Sequence, residues 1–135
     1  VVKHSYKTKN LYKYRGSGME SPNIDYDRKQ WASVMVINCW HLAWRRLTAE
    51  IVASMPLLDL LQFRFLNNSL IGSLNIEWNW LADEYGYNPN AKIIHYTAGV
   101  PGFPMHADVA HADEWRNQLS RVNYALLDSP TSMEK

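Results

Sequence analysis

An α/β fold is predicted by three features of the sequence. Residues 31–38 and 92–96 are short apolar runs of strand length, and leucine-bearing stretches around 49–61 and 112–127 have helical spacing. The two kinds of segment alternate along the chain, the pattern of a mixed sheet with flanking helices.

The elements follow in order. Residues 1–6 read as a short strand, and residues 7–30 as a long polar surface loop with Gly16, Gly18 and Pro22. Lys7, Lys9, Lys13 and Arg15 there, with Lys3 just upstream, suit either a solvated face or a phosphate. The 31–38 run is nearly continuous in apolar, β-branched residues, which predicts a strand covered on both faces, with Cys39 buried at its end. A short helix is expected over 39–47. Thr48 is placed to cap a second over 49–55, and Pro56 to start a third that buries Leu57, Leu58, Leu60 and Leu61. Residues 66–69 read as a turn. Residues 76–80 alternate like a strand with Ile76, Trp78 and Trp80 on one face. A loop is expected over 83–90, a strand over 92–96, and a loop with two glycines and two prolines over 97–104. The last helix is expected from Ala112 to Leu127, with Trp115, Leu119, Val122 and Leu126 in one stripe, and 131–135 as a frayed tail.

Composition narrows the function classes. The 135 residues are 47% hydrophobic and 20% charged, an ordinary balance for one globular domain. A net charge of +1 gives no electrostatic basis for binding nucleic acid or an anionic membrane. One cysteine excludes an intrachain disulfide, and no apolar run has the length of a membrane span. Residues 1–6 have no signal-peptide layout and no initiating Met, and read as the middle of a strand in a fragment, so the cytoplasm is the default placement. Six Trp and eight Tyr suit both core filling and stacking on sugar rings.

Chemistry is expected where the 92–96 strand runs into the glycine-bearing loop, because open α/β sheets bind ligands at strand ends. His95 closes that strand; read alone, it suits either a hydrogen-bonded structural residue or a ligand to a divalent metal. Gly99 and Gly102 would let backbone amides approach phosphate oxygens. Asp25-Tyr26-Asp27 has the spacing of a carboxylate pair that holds Mn²⁺ on a diphosphate. It follows a polar loop rather than an apolar strand, and is set aside. His106-Ala107-Asp108 and His111-Ala112-Asp113 lack the spacing and the cysteines of a zinc set, and are read as capping the last helix. Hydrolase-elbow, Walker, dinucleotide and paired-cysteine motifs are absent from the sequence.

Three stretches, in order, resemble bacterial and phage glycosyltransferase-like proteins related to the glycogenin-type (family eight) transferases of the GT-A fold. They are residues 1–4 with 28–39; residues 61–65 with 71–72 and 77–81; and residues 88–97 with the 99–103 loop and 112–116. The resemblance implies the C-terminal part of an incomplete GT-A-like, Rossmann-like domain spanning residues 1–135. The Asp-x-Asp-bearing nucleotide-binding part would precede Val1. It further implies sugar transfer from a nucleotide-diphosphate donor with Mn²⁺ or Mg²⁺, to an acceptor it does not specify. His95 matches the family's histidine ligand to the metal. Gly99, Val100 and Gly102 match the segment near the diphosphate, and Ser33 and Asn38 match a strand lining the donor and acceptor cleft. The chain departs from the family at Asn67-Asn68-Ser69, where relatives carry acidic residues, and at Val100-Pro101-Gly102-Phe103, where they carry Gly-Pro-Trp. A non-catalytic carbohydrate-binding or scaffold protein derived from a transferase is the alternative those departures imply.

Overall fold

The computed structural model describes residues 1–127, with the backbone alone for 123–127. The chain is mixed α and β, with short strands and few helices. It forms two compact units. The first comprises Val1–Lys9, Ile24–Trp80 and Asn88–His95; the second comprises Asn10–Asn23, Leu81–Tyr87 and the chain from Tyr96 onward.

In the first unit Val2 is buried and forms a parallel bridge with Leu74, fixed by Leu74 N–H donating to Val1 O at 2.7 Å. Helix α1 (Ala49–Ser54) is capped by Thr48, whose Oγ1 accepts from Ile51 N, as its sequence predicts. Helix α2 (Leu57–Leu61) starts after Pro56, also as expected. Trp80, the first residue of strand β3 (Trp80–Leu81), donates its N–H to Ile93 O at 2.8 Å, just before β4 (Ile94–His95).

Three expectations fail in this unit. Residues 31–38 form no strand: among the described residues the 34–37 backbone has no ladder partner, Val36 is 79% exposed, and Met35, Ile37 and Cys39 are exposed too. Apolar, β-branched composition makes a strand only where a neighbouring strand takes up its N–H and C=O groups. The leucines of α2 are not a buried side either, since Leu57, Leu58 and Leu61 are exposed. At 76–80 a 3-10 turn (Ile76–Asn79) replaces the alternating strand, because Asn75 Oδ1 accepts from Glu77 N at 3.0 Å and turns the chain. The turn exposes Ile76 and Trp78 and buries Asn79 completely.

The second unit holds the antiparallel hairpin β1 (Tyr12–Lys13) and β2 (Ser21–Pro22), with Tyr12 opposite Pro22 and Lys13 opposite Ser21. The expected loop is thus part hairpin. Helix α3 (Ala82–Tyr85) occupies part of the loop expected over 83–90. It is anchored by buried Ala82 and Glu84 and ends at Gly86, whose φ of 80° suits glycine. Asp83 Oδ2 accepts from Thr97 N, from Thr97 Oγ1 at 3.2 Å and from Ala98 N at 3.3 Å. Helix α4 (Ala112–Leu127) runs as its spacing predicts, but Leu119 and Val122 are exposed, so the stripe is not buried there. The side chain of Leu126 and the 131–135 tail lie outside the described residues.

Candidate functional site

The polar centre of the first unit is built around Asn79, whose side chain is 0% exposed. Its Oδ1 lies 3.0 Å from His95 Nδ1. Its Nδ2 lies 2.9 Å from His4 Nε2, 2.6 Å from Ser33 Oγ and 3.4 Å from Gln30 O. Each partner has its own anchor. His95 ends β4, His4 follows the bridged Val2, and His4 O accepts from Trp31 Nε1 at 3.2 Å. Ser33 Oγ donates to Gln30 O at 2.5 Å across a turn in which Gln30 has a positive φ of 67°. Burial pushes the His4 pKa down to about 4, with the nearby charge of His95 a smaller contribution.

Of the sequence-derived site residues, the structure brings His95 and Ser33 to this one amide. Asn38 instead serves its own turn: its Oδ1 accepts from Trp40 N at 3.1 Å and its carbonyl from Trp44 Nε1 at 3.0 Å. Gly99, Val100 and Gly102 belong to the second unit. There Val100 O accepts from Phe103 N, and a Cβ on Gly99 would sit 2.6 Å from His106 Cδ2. Gly99 therefore has a packing role: it lets an imidazole lie against the backbone. The amides of Thr97 and Ala98, which open the glycine-bearing loop, are taken up by the Asp83 carboxylate.

Asn79 and His4 were not among the site residues drawn from sequence. The signal for Asn79 was its neighbour Asn75, a strong turn former that contradicts a strand at 76–80. Asp25 is tied to Lys29 Nζ at 3.3 Å and accepts from Thr8 N, and Asp27 Oδ2 lies 3.5 Å from Arg64. His111 directly precedes α4, with Nδ1 3.2 Å from Glu114 Oε1 and its ring stacked on Tyr87 at 4.6 Å. Asn67 Oδ1 accepts from Ser69 N, and Asn68 Oδ1 accepts from Arg28 at 2.6 Å, so both asparagines have structural partners.

A divalent cation needs several oxygen or nitrogen donors around one point. Among the described residues no group of three His, Cys, Asp or Glu could hold one. His95 is at most a single ligand, and these residues do not by themselves fit a metal. Among the described residues no helix is long and apolar enough to cross a membrane.

No protein-family model matches the chain. No solved structure matches it either. Among curated proteins it is similar to Protein CDI of Arabidopsis thaliana, with 32% identity over 127 residues, covering 90% of this chain and 48% of that protein. The chain spans about half the length of the curated relative it matches.

Proposed function

We propose that this chain is part of a glycosyltransferase that moves a sugar from a nucleotide-diphosphate donor to an acceptor, with Mn²⁺ or Mg²⁺ as the cofactor. The observation that carries the proposal is the imidazole of His95, oriented by a buried amide at the end of β4, immediately before a glycine-bearing loop. In this reading the cation's carboxylate ligands come from sequence outside these 135 residues. A divalent cation, when bound, would offset charge on the departing diphosphate. The chain's own contribution in this reading is to hold His95 in place and to bring Ser33 beside it as a cleft hydroxyl. The test is Mn²⁺-dependent hydrolysis of nucleotide-diphosphate sugars by the full-length protein. Activity that falls by roughly two orders of magnitude or more in His95→Ala supports the reading. A full-length protein with no such activity, or one indifferent to His95→Ala, overturns it.

The engagement of Asn67 and Asn68 in local structure favours a second reading, a non-catalytic carbohydrate-binding or scaffold protein. Metal-independent glycan binding that survives His95→Ala would select it.

A further inference from the structure

We infer that the Asn79 amide fixes the tautomers of both neighbouring histidines, so that His95 carries its proton on Nδ1 and, when neutral, its electron pair on Nε2. The orientation of the amide is decided by Ser33, whose hydroxyl has a single hydrogen. A backbone carbonyl oxygen only accepts, so Gln30 O at 2.5 Å takes that hydrogen, and the Asn79 terminal atom 2.6 Å from Ser33 Oγ must be the donor, the NH₂ group. The other terminal atom is then the amide oxygen. It faces His95 Nδ1 at 3.0 Å, and an oxygen without a proton bonds that nitrogen only if the nitrogen carries one.

The two protons of the NH₂ group are also assigned. Ser33 donates its own hydroxyl hydrogen to Gln30 O, which leaves Ser33 Oγ to accept from Asn79 at 2.6 Å. The second proton points to His4 Nε2 at 2.9 Å. That nitrogen therefore holds a lone pair, and His4 carries its proton on Nδ1. A charged His4 would set N–H against N–H, in keeping with the low pKa that burial gives it.

A neutral imidazole protonated at Nδ1 has its basic electron pair on Nε2, the form that ligates a cation or accepts a proton. Asn79 is a positioning residue, acting through His95. The use of that electron pair for a cation rests on the proposed function; the tautomer assignment does not.

Two-bond ¹H–¹⁵N spectra of histidine-labelled, metal-free chain at neutral pH read the tautomers directly. The inference expects the Nδ1–H pattern for both His4 and His95 in the wild type. In Asn79→Leu it expects His95 to shift toward the Nε2–H form, while in Ser33→Ala, which keeps the amide oxygen, His95 stays Nδ1–H. A wild-type His95 protonated on Nε2 overturns the inference, whether or not the Asn79 variant folds. So does a folded Asn79→Leu protein with the His95 pattern unchanged. An Nδ1–H His95 in a full-length protein without donor hydrolysis would sink the transferase reading alone. An Nε2–H His95 in an active one would sink this inference alone.

Discussion

Asn79 has no exposed surface and meets two imidazoles, a hydroxyl and a carbonyl. Truncating such a hub strands several buried polar atoms at once, each at about 1–3 kcal/mol. Asn79→Ala is expected to cost about 2–4 kcal/mol in denaturant unfolding, far more than Ser33→Ala, where one exposed hydroxyl is lost. His4 makes the fold acid-sensitive. Its folded pKa of about 4 lies below the ordinary 6.5, so the unfolded chain takes up the proton first. The stabilisation is complete above pH 6.5, falls as the pH drops through that window, and is lost by pH 4. The full difference is about 3 kcal/mol. Unfolding curves across that range should show the slope, and His4→Gln, which keeps an acceptor oxygen, should flatten it. In the second unit, Gly99→Ala would drive a methyl group to 2.6 Å from His106 Cδ2. A loss of about 1–3 kcal/mol is expected, partly recovered when His106→Ala is added.

At the scale of elements, local chemistry was legible and burial was not. Thr48 capped α1 and the 112–127 spacing gave α4, because caps and periodicity act within a few residues of chain. The 76–80 segment misled because its apolar alternation suited a strand, while Asn75 turned the backbone and sent Asn79 inward to partners as far as 75 residues away. No local pattern encodes a contact of that separation, so the sequence shows His95 at a strand end but not its partner Asn79. The exposed 34–37 run was misread for the complementary reason: composition reports what a segment would pair with, not whether a neighbour is there. Gly86 offers a test at this scale. With φ 80° and ψ −156° it closes α3 in a conformation open essentially to glycine, so Gly86→Ala should destabilise by about 1–3 kcal/mol in the same unfolding measurement.

Across the whole molecule, the first unit leaves much apolar side chain in water: Trp40 is 94% exposed and Leu57 69%, with Val36, Leu42 and Leu58 also exposed. Surfaces of this kind promote association. The 135-residue chain is expected to show concentration-dependent mass by light scattering and to bind hydrophobic dyes. Val36→Lys with Leu57→Lys should reduce both while changing stability by no more than about 0.5 kcal/mol. Unchanged dye binding in that double variant would count against the exposure of these side chains. The Val2–Leu74 bridge and the His4–Asn79 bond also govern timing, since the latter joins residues 75 apart. During synthesis, at about 5–20 residues per second, the segment around Val2 waits roughly 4–15 s after His4 is made before Asn79 exists at all. The first unit therefore cannot close before Asn79 is made, its loop-closure entropy is met before those contacts form, and its refolding should be slow for a chain of this size.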